Sequence, residues 1–226
     1  MTKVKSAVLG QGLSGRLFFR VCRDLCMVIC TLYFRMTCNG REHVPKQGAY
    51  VLAAVHRSNV DIVVTGTVTR RRQRYMGKDS LWERQPGSWV LTALGGFPVS
   101  RGTVDRLALQ RCIDVLEAGE PLVLYPEGTR LSGPTVGELF DGAMYIASKA
   151  GVPVIPVGIA GTERAMAKGA KMIRPSKVHL EIGSPIMPPV AIDGRRVSRE
   201  LLNESTSRLR AELQRLFDLA QERTGR

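Results

Sequence analysis

The stretch Val51–Asp61, VLAAVHRSNVD, decides the fold, because an apolar run stops abruptly at a histidine and a carboxylate follows five positions later. Residues 50–55 are typical of a buried strand and residues 61–68 of a helix. Between them, Ser58 and Asn59 are residue types that favour a helix N-terminus. The stretch therefore predicts a strand, a turn and a helix in succession, as in an α/β protein.

His56 and Asp61 are a candidate catalytic pair. Imidazole is suited to proton transfer near neutral pH, and a nearby carboxylate can fix its tautomer and stabilise its charged form. Residues five apart do not share a face of one helix, so the two meet only if Asp61 lies in the first turn of the helix that follows. From this stretch alone, a structural histidine and an ordinary helix N-terminal charge explain the pair equally well.

Composition narrows the class of protein. The 226 residues, 44% of them hydrophobic, can bury one substantial core. The net charge of +13 indicates an anionic partner: nucleic acid, a membrane surface, or a phosphorylated or CoA-like substrate. Only 6% of residues are aromatic and no basic motif interleaved with aromatics occurs, so we expect no nucleic-acid binding.

The five cysteines do not form a disulfide framework, since their number is odd and four of them lie in the first 38 residues. Cys22, Cys26 and Cys30 recur every four residues along one side of a predicted helix, while the three histidines are scattered. We expect no metal and no cofactor, and we interpret the cysteines as small apolar residues in a reducing compartment.

Residues 16–36 predict a helix in which four arginines bracket the apolar segment Leu25–Phe34. Ten uncharged residues are too short to cross a bilayer, which takes about twenty. We therefore expect residues 1–38 to form an amphipathic, membrane-associating helical segment at the cytoplasmic face of the cell membrane, and residues 39–226 to form one α/β domain. A helix packed on the core is the alternative.

Glycines near the N-terminus suggest another class of protein, a dinucleotide-binding oxidoreductase. Gly10, Gly12 and Gly15 match a dinucleotide-binding pattern, but the preceding strand is short and a turn-rich segment follows the helix. We favour a glycine-rich lead-in. The arginine-rich segment 70–74 is interpreted as a solvated or lipid-facing surface.

Further strands also end in polar loops. Residues 75–78 predict a short strand ending at Lys78, the segment 95–102 predicts a bent strand that presents Arg101, and residues 121–125 run into Pro126–Arg130. Residues 152–159 contain two prolines, which favours an edge or irregular strand. Because active sites of α/β sheets gather where strands end in loops, we expect a mixed, mostly parallel sheet flanked by helices. His179, in a last strand at residues 178–182, is expected to be half-exposed.

Four blocks stand in order along the chain: HRSNVD (56–61), GGFPVSR (95–101), YPEGTR (125–130) and VPVIPV (152–157). Together they resemble the four motifs of the glycerolipid acyltransferase family, most closely the bacterial 1-acylglycerol-3-phosphate acyltransferases. The similarity covers roughly residues 40–185, and ordered co-occurrence is more specific than any single block. Tyr125 stands where the family usually has phenylalanine.

The resemblance implies a role for each matched residue. His56 is expected to be the general base and Asp61 its orienting partner, without an acyl-enzyme. The implied phosphate-binding residues are Lys78, Arg101 and Arg130, and the residues implied to shape the acceptor site are Ser58, Glu127, Gly128 and Thr129. The implied partners are acyl-CoA or acyl-carrier protein and lysophosphatidate. The His-Arg-Ser beginning also resembles the glycerol-3-phosphate acyltransferase branch, and a non-catalytic anionic-lipid-binding protein is a further alternative.

Overall fold

The computed structural model describes residues 12–84, 86–99, 106–190 and 197–225. Within them, the strands are β1 (Thr37–Asn39), β2 (Val51–Ala54), β3 (Arg74–Lys78), β4 (Gly96–Val99), β5 (Leu122–Leu124), β6 (Val154–Ala160) and β7 (His179–Ile182). The helices are α1 (Leu13–Leu32), α2 (Val60–Gly66), α3 (Gly87–Ala93), α4 (Arg106–Glu117), α5 (Gly142–Ala150), α6 (Thr162–Ala165) and α7 (Arg199–Arg223).

The described strands form one sheet in the order β1-β7-β6-β2-β5-β3-β4. Every neighbouring pair is parallel except β6 and β7. The predicted fold class, a mixed and mostly parallel sheet flanked by helices, is confirmed. Because β2, β5, β3 and β4 run parallel, their carboxyl ends lie at one edge of the sheet, which we call the carboxyl edge.

Strand β2 is buried on both faces, which explains why it is apolar at every position. Val51, Ala53 and Val55 belong to a core with residues of α4, α5 and α7, while Leu52 and Ala54 face a second core with Cys30 and other residues near α1 and α2. Helix α7 packs directly on β6, where a Cβ at Gly158 would come within 2.3 Å of the backbone of Leu216.

The expectation that β6 is an edge strand is wrong, because β6 lies between β7 and β2. Pro156 is tolerated there because its position falls where the β7 pairing is interrupted. Val154 bridges Ile186 and regular pairing begins again only at Val157. The missing amide hydrogen of proline therefore faces a break in the ladder, so the strand is irregular as expected but not exposed.

Two other expectations are corrected by burial. His179 is 3% exposed rather than half-exposed. The segment 70–74 is not a solvated surface throughout: Arg74 is buried against Glu120, and Arg71 donates to the carbonyls of Pro45 and Gly119. These arginines bond to neighbouring loops, and their clustering in the sequence did not indicate this role.

Helix α1 lies against α2 and α3, with Phe18 and Trp89 in ring contact at 5.1 Å between centroids. An exposed apolar stripe runs along its other side at helical spacing: Leu13, Leu17, Val21, Leu25, Val28 and Leu32. In the part of the chain that the structure describes, no helix has the length and apolar character needed to cross a bilayer.

Candidate active site

His56 lies two residues beyond the end of β2, at the carboxyl edge. The Val55 amide still donates to the Val157 carbonyl, so the chain is held in the sheet up to the residue before the histidine. The His56 amide then donates to Glu127 Oε2 at 3.0 Å, and its carbonyl accepts from the Leu131 amide. The backbone of His56 is thus fixed from both sides, and its side chain is 15% exposed.

Asp61 orients His56. His56 Nδ1 lies 2.9 Å from Asp61 Oδ2, and the same oxygen accepts the amides of Arg57 and Ser58 at 2.7 Å. An ionised carboxylate only accepts hydrogen bonds, so Nδ1 is assigned the proton and Nε2 carries the lone pair. Nε2 has no hydrogen-bond partner among the described residues. The contact that the sequence predicted, across a strand end and a first helical turn, is present.

Ser58 closes the turn between β2 and α2. Its Oγ accepts from the Val60 amide at 3.1 Å and donates to the Met166 carbonyl at 2.7 Å. Asn59 occupies the N-cap position without a capping hydrogen bond from its side chain. Ser58 is fully buried, so it shapes the site through the turn rather than through an exposed hydroxyl.

A buried ion pair lies behind His56. Arg57, 1% exposed, donates from Nη1 to both carboxylate oxygens of Glu127, at 2.8 and 3.0 Å. Glu127 Oε1 also accepts the Gly137 amide, and Arg57 lies over the Phe217 ring. Since both oxygens of Glu127 are occupied inside the protein, its contribution to an acceptor site is to join the His56 turn to the 126–130 loop.

Tyr125 provides a platform for the imidazole. The two rings are stacked, with 4.0 Å between centroids and an interplanar angle of 18°. Burial, followed by the proximity of Tyr75 and Asp61, raises the pKa of Tyr125 well above its ordinary value. The phenol is therefore neutral, and its hydroxyl lies 3.3 Å from Thr65 Oγ1.

The loop after β5 carries the remaining acceptor-site candidates. Gly128 has a φ of +67°, and a Cβ there would come within 2.6 Å of the Phe140 ring, so the turn requires glycine. Gly128 and Thr129 are exposed. Arg130 is partly exposed and has no hydrogen-bond or ion-pair partner among the described residues, and the next residue donates to the His56 carbonyl.

Lys78 is exposed at the end of β3, two strands from β2. Strand alternation places its side chain on the face of Met76, which contacts Cys112 of α4, whereas His56 shares the opposite face with Tyr125. Lys78 therefore does not share the face of the sheet on which His56 lies. Arg101 lies outside the described residues.

This arrangement can accept a proton at an oriented imidazole, next to the loop that carries Arg130. A family model described as Acyltransferase matches residues 35–160, more than half of the chain, and includes His56, Asp61 and the 125–130 loop. The chain belongs to the acyltransferase family.

Most of the similar curated proteins are 1-acyl-sn-glycerol-3-phosphate acyltransferases, and one is a lyso-ornithine lipid O-acyltransferase from Pseudomonas aeruginosa. This acyltransferase-family chain is 30% identical to a 1-acyl-sn-glycerol-3-phosphate acyltransferase of Chlamydomonas reinhardtii, over 69% of this chain and 48% of that protein. It is 26% identical to the enzyme of that name from Bacillus subtilis, over 74% of this chain and 82% of that protein. The chain spans about half the length of the first curated relatives it matches.

A solved structure is similar over most of the chain. The crystal structure of the 1-acyl-sn-glycerophosphate (LPA) acyltransferase PlsC from Thermotoga maritima superposes with a TM-score of 0.71 and 28% sequence identity. The match covers 88% of this chain and 79% of that one. The likeness thus extends beyond residues 35–160.

Two residues of the acyltransferase-family site were missed by sequence reasoning. From the sequence, Arg57 has no assigned role within the first motif. Tyr125 is identified there only as a difference from the phenylalanine that is usual in the family. The signal for Arg57 was available: a cation beside the histidine, and an acid at the end of another predicted strand. Strand alternation alone could not show that Tyr125 stacks on His56, because the turn after β2 sets the ring's direction.

Proposed function

We propose that this chain transfers a fatty acyl group from acyl-CoA or acyl-carrier protein to the free hydroxyl of 1-acylglycerol-3-phosphate, giving phosphatidate. The observation that carries the proposal is the dyad itself: His56 Nδ1 is held by Asp61 while Nε2 is unengaged at the carboxyl edge. The family match and the names of the relatives supply the reaction class and the acceptor.

In the proposed reaction, the acceptor hydroxyl attacks the thioester carbonyl as Nε2 of His56 takes its proton. A carbon–oxygen bond forms, the carbon–sulfur bond breaks, and the departing thiolate receives the proton from the imidazolium. Asp61 stabilises that imidazolium and keeps Nδ1 protonated throughout. No acyl-enzyme is needed, because the proton acceptor is already positioned for a direct transfer.

Cations at the carboxyl edge would bind the acceptor phosphate. Arg130 directly precedes Leu131, whose amide donates to the His56 carbonyl. The Arg130 side chain has no hydrogen-bond or ion-pair partner among the described residues. Its guanidinium can bind a phosphate through two parallel hydrogen bonds and so fix the distance from the phosphate to the reacting hydroxyl. Arg101 and Lys78 are proposed to add charge from the neighbouring strand ends.

The site is proposed to work at a membrane surface, with residues 1–38 as the lipid-contacting segment and residues 39–226 as the catalytic domain. Helix α1 carries six exposed apolar side chains in one stripe, and α2, which holds Asp61, exposes Ile62 and Val63. A helix lying in the interface would bury this surface in lipid. The free cysteines accord with the reducing cytoplasmic face.

The test is acylation of lysophosphatidate by the purified chain in detergent micelles, with acyl-CoA and acyl-carrier protein as alternative donors. His56→Ala should lower kcat by about 10²–10⁴-fold, the usual share of a general base. Replacement of His43, whose ring lies 2.9 Å from the Ile182 carbonyl on β7, two strands from β2, is the matched control and should leave kcat near that of the wild type.

Three outcomes would contradict the proposal. Turnover retained in His56→Ala would remove the base, and an active site that accepts glycerol-3-phosphate in preference to lysophosphatidate would assign the chain to the other acyltransferase branch. Lipid binding without transfer under any donor would favour a non-catalytic binding protein, although such a protein has no need of the oriented dyad.

A further inference from the structure

The segment Met166–Lys177, which we call the basic loop, connects α6 to β7. Its residues 167–175 are all exposed. It contains four cations and no acid: Lys168, Lys171, Arg174 and Lys177. None of the four forms an ion pair with a described residue. Between them, Met172 is 76% exposed and Ile173 51% exposed, so an apolar tip is flanked by uncompensated positive charge.

The basic loop is held in place at its base. The Arg174 amide donates to the Ala165 carbonyl at 2.9 Å, and Ser176 Oγ donates to the Gly161 carbonyl at 3.0 Å. The loop curves around an open pocket of about 380 Å³. Lys171 and Arg174 line that pocket, together with Glu163, whose carboxylate accepts from the Gly133 amide. The cations are therefore presented by a fixed scaffold.

The apolar tip lies near the C-terminal end of α1. Tyr33, directly after α1, donates its hydroxyl to the Ile173 carbonyl at 3.0 Å. This contact brings Met172 and Ile173 beside the end of α1, where Leu32 is 75% exposed. Two segments that are 140 positions apart in the chain, each with exposed apolar side chains, are thus held next to each other.

We propose that the basic loop is a second lipid-contacting element, in which Met172 and Ile173 enter the interface while the four cations bind the phosphates of an anionic bilayer. The proposal rests on the membrane-surface function proposed above and extends it to a second segment and to lipid charge. An acidic protein would satisfy the cations but leave Met172 and Ile173 without the apolar environment that a bilayer provides.

The basic loop also touches the turn that carries the dyad. Its first residue, Met166, accepts the hydrogen bond of Ser58 Oγ at 2.7 Å, and Ser58 lies between His56 and Asp61. Lipid contact at the loop would therefore occur one hydrogen bond away from the catalytic turn, which would keep His56 near the surface from which the acceptor enters.

The test is flotation of the full-length chain with vesicles of phosphatidylcholine alone or with phosphatidylglycerol added. The double variant Lys168→Gln/Lys171→Gln should lower partitioning onto anionic vesicles by about 25-fold, roughly fivefold for each charge, and change little on neutral ones. Met172→Gln/Ile173→Asn should lower partitioning by about tenfold on both kinds of vesicle, because its effect is apolar.

Matched controls lie on the other face of the sheet. Lys149→Gln on α5 removes an exposed charge, and Met187→Gln removes an exposed apolar side chain; neither should alter partitioning measurably. Thermal unfolding of each variant verifies that it folds. Added salt should weaken the wild type on anionic vesicles more than it weakens the charge variant.

The inference is overturned if the loop variants partition like the wild type, if the control variants lose as much, or if the charge variant loses equally on neutral vesicles. Loop variants that bind vesicles normally but no longer bind acyl-carrier protein would assign the loop to a protein partner instead. Flotation does not depend on turnover, so a wild type that binds vesicles without acyl transfer would refute the proposed reaction and leave the loop's role intact.

Discussion

Two histidines of this chain contact a carboxylate at the same distance. His56 Nδ1 lies 2.9 Å from Asp61, and His179 Nε2 lies 2.9 Å from Glu181. The second nitrogen distinguishes them: that of His179 lies 2.6 Å from Thr37 Oγ1, whereas that of His56 has no partner among the described residues. A carboxylate at hydrogen-bond distance therefore does not identify a base, and an unengaged nitrogen at the carboxyl edge is the better criterion.

Position in the strand produces this difference. His179 is the first residue of β7 and shares a strand face with Glu181 two positions later, while β1 lies alongside and supplies Thr37. Both nitrogens are thereby occupied by the sheet itself. His56 lies beyond the end of its strand, where the turn can supply one partner and leave the other nitrogen directed away from the backbone.

Among the substitutions that test the difference between His56 and His179, Asp61→Asn is expected to have the largest effect on kcat. His56 Nδ1 and the amides of Arg57 and Ser58 all contact Asp61 Oδ2, so an asparagine whose oxygen takes that place keeps these contacts but lacks the negative charge. The imidazolium that forms during proton transfer would then lose its stabilising counter-charge, and His56 would be a weaker base. We expect kcat to fall by about 10²–10⁴-fold with an unchanged fold, measured by steady-state kinetics and circular dichroism.

Glu181→Gln is the counterpart for the other pair. It replaces the carboxylate beside His179 in the same chemical way, and kcat should remain near that of the wild type. If Asp61→Asn kept kcat within about tenfold, stabilisation of the imidazolium by a negative charge would not be the function of Asp61.

The next largest effect is expected on stability, from Glu127→Gln. The substitution leaves Arg57 buried without its counter-charge, which typically costs about 3–5 kcal/mol of unfolding free energy. It also weakens the hydrogen bond to the His56 amide, so kcat should fall together with stability. Urea unfolding and kinetics on the same preparation measure both quantities.

Glu212→Gln is the matched control, since Glu212 pairs with the exposed Arg215 on α7. An exposed pair contributes about 0–1 kcal/mol, so the unfolding midpoint should hardly move. Equal losses in the two variants would show that the interior pair is not energetically distinct from a surface pair.

Much of the fold and part of the candidate site could be predicted from the sequence. Val51–Asp61 predicted strand, turn and helix because apolar residues ended at a histidine and capping residues followed, and the loop after β5 was found in the same way. The position of β6 was not accessible, since prolines indicate a poor ladder donor but not where a partner strand is interrupted. The burial of His179 and Arg74 depended on strands distant in sequence, to which local patterns are insensitive.

His179→Ala should lower the unfolding free energy by less than Glu127→Gln does. Removing the ring leaves Thr37 and Glu181 without their shared partner, at a cost of about 1–3 kcal/mol for buried polar groups. The kcat of the folded fraction should be unchanged, in contrast to His56→Ala. A kcat that fell as far as it does for His56→Ala would mean that the two histidines do not differ in function.

Tyr125→Phe is expected to have the smallest effect. The phenylalanine ring preserves the stack on His56, and only the hydroxyl contact with Thr65 is lost, so unfolding free energy should fall by about 0.5–1.5 kcal/mol. Because burial raises the pKa of Tyr125, the phenol is protonated in the fold, and kcat should keep the wild-type pH profile throughout the neutral range.

The raised pKa of Tyr125 also determines how the unfolding free energy changes at alkaline pH. The unfolded phenol ionises above a pH of about 10, whereas the buried phenol retains its proton, so the contribution of Tyr125 is complete below that pH and is lost as pH rises past it. The Phe variant lacks this loss, so urea unfolding above pH 10 should narrow the stability gap between the two proteins. A Phe variant whose kcat fell more than about tenfold would instead give the hydroxyl a part in the proton transfer assigned to His56 alone.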